Sequence, residues 1–142
     1  MAMVAAGVAN DGEVMEPYIV DEVRSPDFDT LDKADPHPID NQPAMSEGDA
    51  KELQGMLVDT ANEGTATSGQ ISGVDVAAKT GTAQRGEGEA PYSWFVAFAP
   101  ADDPQVAVAV MADPPLDWGG DVTGNGIAGP IANSVMRAVL DQ

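Results

Sequence analysis

The sequence contains no cysteine, which excludes disulfide bridges, thiolate nucleophiles and zinc–thiolate sites. It has only six lysines and arginines against 24 aspartates and glutamates, so its net charge is -18. Such an acidic chain lacks the basic face that nucleic acids and anionic membranes attract, which argues against both as partners. No apolar run approaches the ~20 residues of a membrane span. Valine, isoleucine, leucine and phenylalanine together number 28 of 142 residues, which predicts a small packed core.

The first nine residues are apolar and run into an Asn10-Asp-Gly12 turn. They lack the positively charged start of a signal peptide, so they predict a short helix ended by that turn. A helix that is apolar on every side must be buried on every side. We therefore expect residues 1–142 to be part of a longer domain.

The next segment is acidic and rich in proline. Residues 13–23 alternate loosely and predict a strand, which Pro17 would place at an edge. Residues 25–45 predict a solvated excursion with a weak strand near 38–42. Ser46 and Asp49 form a capping box, which predicts an amphipathic helix over 47–63.

Three apolar segments predict strands, at residues 76–83, 92–99 and 105–112. The short connection at 100–104 predicts that the last two form an antiparallel hairpin. Neither face of that hairpin is polar, so we expect helices on both faces of the sheet. We also expect large side chains under one layer and alanines under the other. A final helix is predicted from four apolar residues at a spacing of four: Ile127, Ile131, Val135 and Val139. The fold class is therefore α+β, as a three-layer α/β/α arrangement.

The candidate chemistry lies in Lys79-Thr80-Gly81-Thr82, within an otherwise small and half-apolar strand. Thr80 and Thr82 should point to one face and Lys79 to the other, unless its long stem curls around the edge. Gly81 leaves room for another group to approach the backbone. Two hydroxyls and free amides beside a cation suit a carboxylate or a developing oxyanion. The same four residues are also compatible with a neutral strand end.

Lys-Thr-Gly belongs to the signature set of penicillin-binding proteins and β-lactamases. Residues 1–18, 63–66, 76–83 and 94–100 resemble, in order, later landmarks of the class B penicillin-binding proteins, which are D,D-transpeptidases. The resemblance covers nearly the whole chain. It implies the C-terminal portion of a transpeptidase domain of the penicillin-binding and β-lactamase-like fold.

The resemblance also implies roles for the motif in peptidoglycan cross-linking. Lys79 would supply positive potential and a hydrogen bond to a hydroxyl of the family's second motif. Thr80 and Thr82 would hold the terminal carboxylate of a D-Ala-D-Ala stem peptide or a β-lactam. The Thr82 amide would be an oxyanion donor, and Gly81 would let the substrate lie against the strand.

The sequence departs from the family pattern at its nucleophile. None of the six serines is followed by lysine three residues on, and none begins a Ser-x-Asn motif. Acyl transfer needs a nucleophile and a base within reach of each other. We therefore expect this chain to be inactive alone, to pair with a missing N-terminal portion of its domain, and to self-associate when separate from it.

Two alternatives stay open: a carboxypeptidase or β-lactamase of the same fold, and a non-catalytic acidic binding module. The resemblance implies an extracytoplasmic longer protein, anchored in the membrane through a segment not in this sequence. No cofactor or metal is predicted. His37, the one histidine, is interpreted as a solvated loop residue. The acidic run of residues 27–35 lacks calcium-loop spacing, and residues 85–89 are interpreted as a mobile turn.

Overall fold

The computed structural model describes residues 1–39 and 42–141 of the chain. The described helices are α1 (Ala2–Ala9), α2 (Glu47–Asn62) and α3 (Gly129–Leu140). The described strands are β1 (Glu22–Arg24), β2 (Thr30–Lys33), β3 (Ala77–Ala83), β4 (Tyr92–Ala99) and β5 (Val106–Ala112). A 3-10 turn covers Thr67–Gly69, and a π-helical turn, Gly124–Ala128, leads into α3. None of the helices in the described ranges combines the length and apolarity that crossing a membrane requires.

The main sheet is antiparallel, with the strand order β3-β4-β5. Helices α1 and α2 cover one face, where Val8 and Leu53 pack with Phe98. Helix α3 covers the other face, where Met136 and Phe95 are fully buried. The predicted α+β class, the three layers and the antiparallel hairpin are confirmed.

Large and small side chains are mixed on each face of the sheet, and not separated as the sequence suggested. The register pairs Phe98 with Ala107 on the face beneath α1 and α2, and Ala97 with Val108 on the face beneath α3. Since directly opposed side chains share one surface, a large residue of one strand fills the space above a small residue of the next. The two faces therefore carry similar cores.

Local contacts define the start of α2 and the end of α1. The Ser46 hydroxyl accepts from the Asp49 amide at 3.1 Å, which confirms one half of the predicted capping box, but the Asp49 carboxylate accepts from the Ser46 hydroxyl at 2.7 Å and not from its backbone amide. Helix α1 ends as predicted, at a turn where Gly12 has a φ of +94°. A Cβ there would lie 2.3 Å from the Met45 carbonyl oxygen, so glycine lets the two segments pack together. One side of α1, including Val4, remains exposed, so within the described residues it is not buried on every side.

Helix α3 buries a different face from the one predicted. Ala128, Ala132 and Met136 are fully buried, whereas the predicted stripe of Ile131, Val135 and Val139 is 40–47% exposed. Close approach is the reason, because a Cβ added to Gly129 would lie 3.0 Å from the Phe95 ring. At this contact there is no room for a side chain, whereas Met136, two turns later on the same face, is large and fully buried.

Residues 13–45 differ from the prediction in two ways: the strand expected over 13–23 is shorter, and a strand, β2, lies within the segment 25–45 that was expected to be a solvated excursion. Of residues 13–23, only the start of β1 is a strand, and it pairs antiparallel with β2 in a separate two-stranded sheet. Met15 and Pro38 make a single bridge. The weak strand predicted near 38–42 is otherwise unconfirmed, and its residues 40 and 41 lie outside the described ranges.

Candidate functional site

The motif Lys79-Thr80-Gly81-Thr82 lies in the middle of β3, an edge strand of the main sheet. Its register places Thr80 opposite Phe95, Gly81 opposite Trp94, and Thr82 opposite Ser93. Gly81 has little room for a side chain, since a Cβ there would lie 3.2 Å from Cβ of Trp94. Among the described strands β3 pairs only with β4, so its other edge has no strand partner.

Both motif threonines line one open cavity of about 340 Å³. The prediction that Thr80 and Thr82 share a face is therefore confirmed. The other lining residues are Thr65, Thr123, Gly124 and Asn125. The Thr65 and Thr80 hydroxyl oxygens are 2.9 Å apart, so one donates to the other. The cavity wall thus presents several neutral hydroxyl and amide groups to a polar ligand.

A network of hydrogen bonds holds the wall that faces β3. The Ser93 hydroxyl, fully buried on β4, donates to the Thr123 carbonyl oxygen at 2.7 Å. The Thr123 hydroxyl donates to the Asp121 carboxylate at 2.8 Å and accepts from the Gly126 amide at 3.1 Å. Asn125 Oδ1 accepts from the Ser68 amide at 2.9 Å, which joins this wall to the 3-10 turn.

Gly124 sets the distance between β3 and the π-helical turn, which form the two walls of the cavity. A Cβ at this position would lie 2.2 Å from the Trp94 carbonyl oxygen and 2.9 Å from Cβ of Thr80. Any side chain would therefore push the π-helical turn away from β3 and widen the cavity. The glycine is required by close approach, not by an unusual φ.

Lys79 lies on the opposite face from the threonines, opposite Val96, and is exposed. Its Nζ donates to the Thr80 carbonyl oxygen at 2.9 Å, so the stem bends back to its own strand. The structure thus places the cation beside the strand that carries the hydroxyls, but outside the cavity lining.

Several serines have hydroxyls engaged in structural contacts. Those of Ser46, Ser93 and Ser134 donate hydrogen bonds within the fold, and that of Ser25 accepts from two backbone amides. The Ser68 hydroxyl is buried where a Gly129 side chain would otherwise be. Within the described ranges, no serine belongs to the lining of the cavity.

Four cavity residues were missed by sequence reasoning: Thr65, Thr123, Gly124 and Asn125. Thr65 stood in the recognised segment 63–66, which was the one available signal. Residues 124–126 belong to the π-helical turn that leads into α3, and their position against β3 depends on tertiary contacts alone.

The other candidates lie outside this cavity. His37 is exposed, with Nδ1 at 2.7 Å from the Asp35 carbonyl oxygen and Nε2 at 2.8 Å from the Glu16 carboxylate. The described residues contain no cluster of side chains suited to a metal ion. Residues 85–89 do form a turn, but Arg85 pairs with Asp113 at 2.9 Å. This ion pair joins the turn to the end of β5.

Comparison with known proteins agrees with this geometry. The sequence model of the penicillin binding protein transpeptidase domain matches residues 1–137. The peptidoglycan D,D-transpeptidase PbpA of Mycolicibacterium smegmatis is 40% identical over 98% of this chain, which spans 28% of that protein. Stage V sporulation protein D of Bacillus subtilis is 34% identical over the whole chain, which spans 22% of that protein.

Solved structures show the same relationship. Penicillin-binding protein A of Mycobacterium tuberculosis, as a ceftriaxone acyl-enzyme complex, superposes with a TM-score of 0.85 at 36% identity. That match covers 98% of this chain and 31% of the solved one. A D,D-transpeptidase domain from Eggerthella lenta gives a TM-score of 0.83 at 36% identity, over 99% of this chain and 31% of its own.

Fold and sequence together define a portion of a penicillin-binding transpeptidase fold. The chain belongs to the penicillin-binding protein transpeptidase domain family. It spans less than a third of the relatives described above.

Proposed function

We propose that this chain forms the substrate-binding wall of a serine peptidoglycan D,D-transpeptidase whose nucleophile lies on a segment outside residues 1–142. The observation that carries the proposal is the pair of threonine hydroxyls, Thr80 and Thr82, at an unpaired strand edge and in one polar cavity. The relatives named as D,D-transpeptidases favour this activity over a carboxypeptidase or β-lactamase.

The ligand is a D-Ala-D-Ala stem peptide, or a β-lactam in its place. The Thr80 and Thr82 hydroxyls hold its carboxylate by hydrogen bonds, and Lys79 adds positive potential to a chain of net charge -18. The peptide lies along the free edge of β3 as an added strand, where Gly81 lets it approach.

The reaction proceeds by acyl transfer. A serine oxygen on the other portion attacks the carbonyl carbon of the penultimate D-Ala, and the terminal D-Ala leaves with a proton on its amine. The Thr82 amide stabilises the oxyanion that forms during the attack. An amine of a neighbouring stem then attacks the acyl-enzyme and releases the serine.

The proposed activity also implies where the protein is located and which segment completes it. Peptidoglycan lies outside the cytoplasmic membrane, so the site faces the extracytoplasmic space. A membrane anchor, like the nucleophile, belongs to a segment outside this sequence. The N-terminal portion of the domain is the partner that completes the cleft.

The test uses labelled penicillin on two proteins. We expect no covalent label on any of the six serines of the 142-residue chain, and clear labelling of the longer protein that contains it. In the longer protein, Thr82→Val removes one hydrogen bond to a charged group, worth about 1.5–3 kcal/mol, so acylation slows by about 13- to 160-fold.

Thr30→Val makes the same chemical change on β2 and is the matched control. It should leave the acylation rate unchanged. Circular dichroism and a thermal melt show whether each variant is folded. A stable acyl adduct on the isolated chain would refute the proposal, as would a folded Thr82→Val protein that acylates at the normal rate.

A further inference from the structure

The segment of residues 18–33, which we call the arm, exposes more apolar surface than a solvated hairpin needs. It comprises β1, β2, their turn and the preceding extended residues. Ile19, Phe28 and Leu31 are 101%, 80% and 66% exposed. The other exposed apolar residues of the arm are Tyr18, Val20 and Val23. A single exposed apolar side chain is ordinary, whereas six within the sixteen residues of the arm offer an apolar surface for interaction.

Phe28 at the tip of the arm is the most informative of these residues. Its φ is +68°, a left-handed conformation that glycine or asparagine adopts far more readily than a bulky residue. Its ring is largely exposed, so burial does not compensate for the strain. Neither the geometry of the turn nor packing in the core explains a phenylalanine at this position. Unusual backbone conformations cluster at binding sites, which suggests such a role for the tip.

Hydrogen bonds around Ser25 make the tip a fixed platform. The Ser25 hydroxyl accepts from the Asp27 amide at 3.2 Å and the Asp29 amide at 3.1 Å. The Ser25 amide donates to the Asp29 carbonyl oxygen at 2.8 Å, and the Phe28 amide donates to that of Ser25 at 3.0 Å. A backbone that is already held in one conformation loses less conformational entropy when the residue it carries binds.

The charge of the arm indicates the chemistry of the partner that it can bind. The arm carries five acidic residues, Asp21, Glu22, Asp27, Asp29 and Asp32, against two basic ones, Arg24 and Lys33. A complementary surface must be basic at its rim and apolar at its centre. A second copy of this chain is poorly suited, because it has only six lysines and arginines, and three of them already pair with acidic groups.

We propose that the arm is a docking surface for a protein partner with an apolar pocket, rimmed by lysine or arginine, that takes the Phe28 ring. The exposed apolar residues and the backbone strain at the tip support the pocket. The acidic residues support the basic rim. This surface belongs to a sheet separate from the one that carries the threonine cavity.

The experiment titrates the longer protein that contains this chain, in which the rest of the domain is present, into two fluorescein-labelled peptides and measures anisotropy. One peptide alternates lysine with leucine, and the other alternates lysine with serine at the same length and charge. We expect the lysine–leucine peptide to bind at least tenfold more tightly, and Phe28→Gly to weaken it at least fivefold. Leu116→Gly, the matched control, changes a leucine that is 69% exposed outside the arm and should have no effect.

Three results would overturn this proposal. Equal binding of both peptides, or an unchanged affinity in Phe28→Gly, would show that charge alone drives the binding. A lower melting temperature in Phe28→Gly would give the ring a structural role. A smaller sedimentation mass of that variant than of the unchanged chain would make a second copy the occupant.

Discussion

Two short contacts change the pKa of the His37 ring. The Asp35 carbonyl oxygen at Nδ1 and the Glu16 carboxylate at Nε2 both favour the protonated ring, so they raise the pKa of His37 above its usual 6.5. A pKa raised by folding means that this contribution to stability is complete below pH 6.5. It is lost as the pH rises through the higher folded value.

An NMR titration of the His37 ring checks this expectation. The pKa should lie above 6.5 in the folded chain, and Glu16→Gln should lower it while leaving the fold intact. Glu13→Gln removes one negative charge nearby in the sequence without removing the contact partner, so it serves as the control. A pKa at or below the usual value in the unchanged chain would show that the two contacts do not form in solution.

The hydroxyls of the cavity show which residue placements can be predicted from a sequence. Thr80 and Thr82 share a face because side chains repeat every second residue along a strand, a local rule that holds without tertiary information. Thr123 and Asn125 reach the same cavity only because Ser93 binds one loop and Gly124 permits close contact. Such long-range contacts have no local sequence signal.

Helix α3 shows the same limit for a whole element. Its existence and extent follow from apolar periodicity, but two apolar stripes satisfy that rule. The stripe of isoleucines and valines was expected to face the core, and the structure instead buries the stripe of Ala128, Ala132 and Met136. The backbone at Gly129 lies against the Phe95 ring, so the space available beneath the helix decides which stripe fits.

Two substitutions in α3 distinguish these faces in solution. Met136→Ala removes a fully buried side chain and should lower the free energy of unfolding by about 2–5 kcal/mol. Val135→Ala, on the 42% exposed face, should change it by about 0.5 kcal/mol or less. Urea denaturation at low protein concentration measures both. A larger loss for Val135→Ala would mean that the opposite face is the buried one.

For the whole molecule, uncovered apolar faces favour self-association, whereas the high net charge opposes it. Val4 on α1 and Val135 on α3 are exposed on opposite sides of the sheet, which favours association. The net charge of -18 keeps copies of the chain apart. Salt shortens the range of this repulsion from about 30 Å at 0.01 M to about 3 Å at 1 M.

We therefore expect the isolated chain to self-associate as the salt concentration rises. Sedimentation velocity in 0.01 M and 1 M sodium chloride should give a larger mass at the higher concentration. Val4→Ser or Val135→Ser should reduce that increase because each removes apolar surface from an uncovered face. Phe28→Gly is the control, since the arm is proposed to bind a basic partner and not a second copy. A monomer with a cooperative melt in both salts would instead show that this chain is a self-sufficient domain whose exposed valines need no cover.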